Sequence, residues 1–309
     1  MNALPKGIVI PLMTPFDAGG EVDVQALKRL IAFNLESKVH GLFVLGSAGQ
    51  GPVMSPDQRR QALEVILETV NGRVSVIAHV GTPDSYTGKK LAQHAKSCGA
   101  DAIAIVPPYY YSDHKPYEVQ RHYCEVAEGA PDLPIVVYDN RQYTGIPMTP
   151  QVVKSLRDEL PAVLGIKLSF LGLEQMLAYV RLLPEMRSYS GSIEYLSAGV
   201  PLGIAGVINP PSSFFPELCV DVWNAVVEKR YEDALELQIK INEIRAAVSK
   251  YLAKYGRITF HEVMTLRELQ VIKYPRWTTA ELTVEERNEL RKDLIEAGAE
   301  AYLTADMQK

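Results

Sequence analysis

The chain has 309 residues, 47% of them hydrophobic and 22% charged, with a net charge of −5 and a pI near 5.8. That composition is ordinary for a globular protein of one large α/β barrel with an appendage, or of two small domains. It argues against a nucleic-acid partner, and no apolar run approaches the ~18 residues of a membrane span.

Three scattered cysteines, Cys98, Cys124 and Cys219, argue against a disulfide framework or a zinc site and suit a reducing cytosol. The start, Met1-Asn2-Ala3-Leu4-Pro5-Lys6, lacks a signal peptide's apolar core, so a cytoplasmic location is expected.

Residues 7–13 read as a first buried strand. Asp23 is placed to cap a helix over 24–37, with Leu27, Leu30, Ile31, Phe33 and Leu35 as its apolar stripe. Residues 42–45 read as a second strand that runs into Gly46-Ser47-Ala48-Gly49-Gln50-Gly51. Ser55-Pro56 then opens a long helix, serine at the cap and proline in the first turn. The unit repeats: strands are expected at 74–78, 102–106, 134–138, 163–168, 187–189 and 204–208. Helices are expected at 85–96, 117–127, from 149 to 156, at 173–183, 193–198 and 215–228.

Strands this apolar are covered on both faces, as parallel strands are. Eight regular strand–helix units predict a (β/α)8 TIM barrel of the α/β class over residues 1–230. No Gly-x-Gly-x-x-Gly follows the first strand, which disfavours a doubly wound sheet. Helices expected at 231–254, 261–269 and 284–298 predict a C-terminal helical extension over 231–309, an appendage without a catalytic unit of its own.

In such a barrel the chemistry sits at the carboxyl ends of the strands. Those ends offer Ser47 in the glycine-bracketed loop, the run Tyr109-Tyr110-Tyr111, then Tyr138, Asp139 and Asn140. They also offer Lys167 and Ser169, Ser190 and Gly191 with Glu194 beyond, and Asn209. Lys167, near the end of an apolar strand, reads two ways: a lysine with its head in water, or a desolvated amine able to attack a carbonyl. A tyrosine on the adjacent strand completes a chemical unit, since dehydration of the carbinolamine needs a group that takes and returns protons. Loop amides can hold a carboxylate beside the ketone. The loop also reads as a plain tight turn, the tyrosine run as an interface patch, and Glu194 as a residue of a helix's first turn. His79 reads as hydrogen-bonded scaffold. No histidine–carboxylate group has metal-ligand spacing in the sequence, so no metal is expected.

Together, Gly46-Ser47-Ala48-Gly49-Gln50, Pro108-Tyr109-Tyr110, Tyr138 with Thr144-Gly145, and Gly165-Ile166-Lys167 resemble the signatures of the dihydrodipicolinate synthase / N-acetylneuraminate lyase superfamily, in order and spacing. The resemblance implies a barrel enzyme, usually a homotetramer built as a dimer of dimers. It implies a lysine Schiff base with pyruvate or another 2-oxo acid, an aldehyde as second reactant, and no cofactor. By motif position Lys167 is the Schiff-base lysine, Tyr138 the proton shuttle, and Ser47 the hydroxyl between tyrosine and substrate carboxylate. Tyr110 is the residue that reaches a neighbouring subunit's site. Ala48, Gly49, Tyr143, Ser169, Gly191, Glu194 and Ile208 fall at substrate-binding positions.

Departures bear on the substrate. Ala48 stands where a second hydroxyl is usual, Gln50 where a glutamate is, and Tyr143 where the synthases carry an arginine. Ile193 and Pro210 replace polar residues of the sialic acid lyases. Neither of those two activities is therefore expected. A wall of Leu168, Ile193 and Pro210 predicts a less hydroxylated second half of the substrate. The expected function is a class I aldolase. Its alternatives are a dehydratase or deaminase using the same Schiff base, and a catalytically silent 2-oxo acid-binding barrel, which the changes at Ala48 and Gln50 keep open. A phosphate-binding isomerase is disfavoured, because Pro210-Pro211 removes two N–H donors.

Overall fold

Short β-branched runs become strands where both of their faces meet apolar partners. Here β1 (Gly7–Pro11), β2 (Gly41–Val44), β3 (Ser75–His79), β4 (Ala102–Ile105), β5 (Ile135–Asp139), β6 (Val163–Leu168), β7 (Arg187–Ser190) and β8 (Gly206–Val207) pair in parallel in chain order. β8 returns to pair with β1, so the sheet closes into the expected barrel. The structure is a computed structural model and describes residues 4–269 and 274–303. The leader reading of residues 1–6 and the extension over 231–309 both include residues outside the described ones.

Between the strands run α1 (Val24–Glu36), α2 (Pro56–Val70), α3 (Ser85–Ser97), α4 (Pro116–Ala127), α5 (Arg141–Thr144), α6 (Pro150–Glu159), α7 (Leu173–Leu182), α8 (Leu196–Gly199) and α9 (Pro216–Val227). The expected caps form. Asp23 accepts from the Ala26 amide, and Ser55 and Gln58 close a capping box. α5 was not legible: its four residues are too few to show a helical period.

Side chains alternate across a strand, and this decides what each residue can do. Val9, Phe43, Ile77, Ala104, Val136, Tyr138, Tyr189 and Ile208 point into the barrel and fill it. Their neighbours Ile8, Ile10, Val44, Ile103, Val137, Ile166, Leu168 and Val207 point outward into the layer shared with the helices.

The C-terminal part comprises α10 (Tyr231–Tyr255), α11 (Ile258–Thr265) and α12 (Val284–Leu294). The helix expected at 261–269 starts and ends earlier. The one expected to 298 stops being α-helical at Leu294, where a wide turn over Ile295–Ala299 holds Gly298 at φ 88°. No helix among the described residues is long and apolar enough to cross a membrane.

Candidate active site

Tyr138 and Lys167 are register partners on β5 and β6, and both point into the barrel near its carboxyl end. Lys167 is 4% exposed. Its Nζ stands 4.1 Å from the centroid of the Tyr138 ring and 4.5 Å from that of Phe43. Burial pushes the Lys167 ammonium below the ordinary lysine range, with the Tyr138 phenol opposing that shift. Burial alone would raise Tyr138, but the Lys167 charge and the Ser47 hydrogen bond outweigh it and leave the phenol lowered. The amine is thus disposed to lose its proton and the phenol to exchange one.

The Tyr138 hydroxyl is held from two sides. Ser47 Oγ lies 3.2 Å away, and Asn140 Nδ2 donates to the hydroxyl at 2.8 Å and to Ser47 Oγ at 3.3 Å. Asn140 is 2% exposed. The sequence placed it at a strand end, but nothing there showed that α5 would turn its amide back onto Tyr138.

Loop 46–51 is shaped by close packing. A Cβ on Gly51 would lie 1.9 Å from the Leu45 carbonyl oxygen, so no larger residue fits. The amides of Gln50 and Gly51 close back onto the carbonyls of Ser47 and Gly46. Those of Ala48 and Gly49 meet no backbone acceptor among the described residues. The C-terminal part grips this loop at three points. Arg257 Nη1 donates to the Ser47 carbonyl at 2.7 Å, the Tyr274 hydroxyl to the Ala48 carbonyl at 3.0 Å, and the Arg276 amide to Gln50 Oε1 at 2.7 Å. Gln50 therefore serves as an acceptor that anchors the loop, a role for which its loss of charge is no handicap.

A cavity of about 560 Å³ opens above Lys167. Ser47, Ala48, Tyr138, Tyr143, Ser169, Gly191, Glu194 and Ile208 line it with Lys167, as the motif positions implied. Gly49 does not; it is buried, and a Cβ on it would meet the Leu12 carbonyl oxygen and the Leu45 backbone at 2.9 Å. Tyr110 does not either: it is 84% exposed and packs edge-on against Tyr111 at 5.0 Å. The expected wall of Leu168, Ile193 and Pro210 is corrected as well. Leu168 and Ile193 are fully buried in the outer core, because strand parity turns Leu168 away from the face that Lys167 occupies. Pro210 does line the cavity, and Phe170, Leu171, Val248, Leu252 and Phe260 supply the apolar wall instead.

Three of those residues, with Arg245 and Arg257, come from α10, α11 and the turn between them. The segment expected to be a mere appendage is part of the cavity. Glu194 pairs with Arg245 at 2.7 Å and accepts from Ser192 Oγ. Arg257 Nη2 donates to the Tyr143 hydroxyl at 2.6 Å. Sequence reasoning missed both arginines; Arg257 lies 210 residues from Ser47, and no local pattern marks such a contact.

A smaller cavity of about 280 Å³ lies behind Tyr138, Ser47 and Asn140 and reaches Tyr109 and His79. His79 Nδ1 lies 3.2 Å from the Leu45 carbonyl. Burial, then the nearby Arg59 charge, push His79 well below the ordinary histidine range, so it stays neutral scaffold. The fold also assembles a group that the sequence spacing did not show. Ligand atoms of Glu64, His94 and Cys98 lie within 4.8 Å of one another on α2 and α3, on the outer surface. There His94 is already paired to Glu64 at 2.8 Å.

The chain matches the family model described as "Dihydrodipicolinate synthetase family" over residues 4–297. It is 32% identical over 242 residues to an N-acetylneuraminate lyase of Citrobacter koseri, covering 77% of this chain and 80% of that one. Among solved structures, it resembles dihydrodipicolinate synthase of Thermotoga maritima (25% identity, TM-score 0.83, 95% and 98% of the two chains). It also shares the fold of a prophage protein of the dihydrodipicolinic acid synthase family from E. coli K12, determined in complex with pyruvate (24% identity, TM-score 0.87, 96% and 99% of the two chains).

Proposed function

Because the chain belongs to the dihydrodipicolinate synthetase family, we propose that it is a class I aldolase-type lyase that joins or splits a carbon–carbon bond through a Schiff base on Lys167. The observation that carries this reading is the buried Lys167 amine set beside a Tyr138 hydroxyl that Ser47 and Asn140 hold in place.

The steps follow from these groups. The neutral Lys167 amine attacks the ketone carbon of pyruvate or another 2-oxo acid. The carbinolamine then loses water, Tyr138 returning the proton that the leaving hydroxide takes. In the cleavage direction, the iminium accepts the electron pair of the breaking C–C bond while a base removes the proton of the departing hydroxyl. That releases an aldehyde and leaves an enamine on Lys167. Protonation and hydrolysis release the 2-oxo acid and regenerate the amine. The free amide of Ala48, with the Ser47 hydroxyl, suits the substrate carboxylate. No cofactor is needed, since the protein's own amine supplies the electron sink. Tyr110, exposed on the strand-end surface, is available to a neighbouring subunit, as the family resemblance implies.

Borohydride reduction in the presence of pyruvate, followed by peptide mapping, tests this directly. A pyruvate-sized adduct is expected on Lys167 and absent from Lys167→Ala. Its absence with pyruvate and with a panel of 2-oxo acids would overturn the Schiff-base reading.

A further inference from the structure

On the outer surface, α2 and α3 bring three different ligand types to one point. His94 and Cys98 stand one turn apart at the end of α3, and Glu64 reaches them from α2. His94 Nε2 lies 2.8 Å from Glu64 Oε1 and 3.4 Å from Cys98 Sγ, with Sγ 3.9 Å from Nδ1. One ring nitrogen thus faces both a carboxylate and a thiol. As a hydrogen-bond donor it has a single proton to offer the two of them. A divalent cation at their centre would satisfy all three.

The spacing suits such an ion. With zinc bonds of ~2.3 Å to sulfur and ~2.0–2.1 Å to nitrogen and oxygen, tetrahedral ligand atoms lie roughly 3.3–3.6 Å apart. Nε2 and Sγ already stand so. The Glu64 side chain, 58% exposed, is free to draw back the remaining half ångström or so, while the His94 ring, 17% exposed, is held.

The surroundings favour positive charge. The groove beside the group is lined by Glu64, Glu68, Asp101 and Cys98, and among the described residues no lysine or arginine lines it. The carboxyl end of α3, the negative end of its dipole, adds to that field. The groove also leaves room for a water as fourth ligand.

We infer that Glu64, His94 and Cys98 form a site for a divalent cation of the zinc class, which ties α2 to α3 on the face away from Lys167. The mixed sulfur, nitrogen and oxygen set selects a borderline metal over magnesium or calcium, which prefer oxygen alone. On binding, the Cys98 thiol gives its proton to solvent and the thiolate takes the metal. The inference does not depend on the chemistry proposed for Lys167.

The test titrates freshly reduced full-length protein with cobalt(II), followed by zinc competition. One cobalt per chain is expected, with a near-ultraviolet thiolate-to-cobalt band and the intense visible bands of a tetrahedral ion. Cys98→Ser should abolish the thiolate band. Cys98→Ser and His94→Gln should each weaken zinc binding at least about tenfold, since loss of an outer-sphere partner alone costs about 10–100-fold. Cys124→Ser should change neither, because Cys124 belongs to no such group among the described residues. Zinc should raise the thermal midpoint of wild type by a few degrees and leave that of Cys98→Ser unmoved. Absence of the thiolate band at one equivalent, its survival in Cys98→Ser, or its loss in Cys124→Ser would overturn the inference and leave His94 paired to Glu64 and nothing more. Should Cys98→Ser fail to fold, His94→Gln decides it. Lys167→Ala should keep the cobalt spectrum, so a failed Schiff base and a failed metal site are told apart.

Discussion

Tyr138 and Lys167 face each other across one register step of the β5–β6 ladder, with the Lys167 Nζ 4.1 Å from the Tyr138 ring centroid. The backbone pairing itself sets that approach, so the contact is as rigid as the barrel. Tyr138→Phe keeps the ring under the amine and removes only the proton carrier. Turnover is expected to fall by about 10²–10⁴. Borohydride trapping on Lys167 should persist more slowly. Steady-state turnover and the trapping rate, measured on one preparation, check the split; equal losses in both would contradict the shuttle role.

The pH behaviour follows from the lowered Lys167 value. The trapping rate should rise with pH and level off below the ordinary lysine pKa of ~10.4. The folded chain holds fewer protons on Lys167 than the unfolded chain between the lowered value and the ordinary one. Stability therefore rises with pH across that window, and the cost of burying the ammonium is fully present below it. Lys167→Met removes that cost. It is expected to stabilise the fold by on the order of 1 kcal/mol at neutral pH, with the gain shrinking toward the ordinary lysine pKa. Denaturant midpoints at neutral and alkaline pH measure this.

Asn140 donates to both the Tyr138 hydroxyl and Ser47 Oγ. Asn140→Ala loses two donors and should cost roughly tenfold in kcat, the size of one to two net hydrogen bonds. Asn140→Asp keeps the shape but sets a carboxylate against the phenol. It should lower kcat further and move the Tyr138 limb of the pH–rate profile upward. An Asp variant more active than the Ala variant at every pH would count against this assignment.

Leu168 and Lys167 are neighbours in sequence but face opposite sides of β6. Leu168→Ala should destabilise the protein by about 2–5 kcal/mol, as a core truncation does. Where the protein remains folded, its preference among acceptor aldehydes should not change. Thermal unfolding and acceptor competition together test the parity; altered selectivity would restore Leu168 to the cavity wall.

Tyr274 fixes the loop that carries Ser47 and Ala48 through its hydroxyl on the Ala48 carbonyl, 3.0 Å away. Tyr274→Phe should cost about 1 kcal/mol of stability. It should raise KM for the 2-oxo acid several-fold with little change in kcat, because the loop binds the substrate and does not move its protons. A kcat effect alone would place Tyr274 in the chemistry.

Local periodicity was enough to place the strands, most helices and the barrel, and the strand ends together with the family resemblance pointed to Tyr138 and Lys167. Each rests on the alternation of a strand, a cap such as Asp23 or Ser55, or a short motif within one loop. Which way a strand-end residue points needs the register as well. Leu168 and Ile193 were therefore assigned to a wall they do not form, and Gly49 to a cavity it does not reach. The residues that complete the site are joined by contacts far apart in the chain. Arg257 reaches back 210 residues to Ser47, and Tyr274 reaches back 226 to Ala48. Such contacts exist only once the C-terminal part packs on the barrel, since their partners are backbone carbonyls, and a carbonyl leaves no trace in residue identity. The sequence by itself determined the barrel and its central amine; the tertiary structure alone decided what surrounds that amine, because those neighbours meet only through contacts distant in the chain.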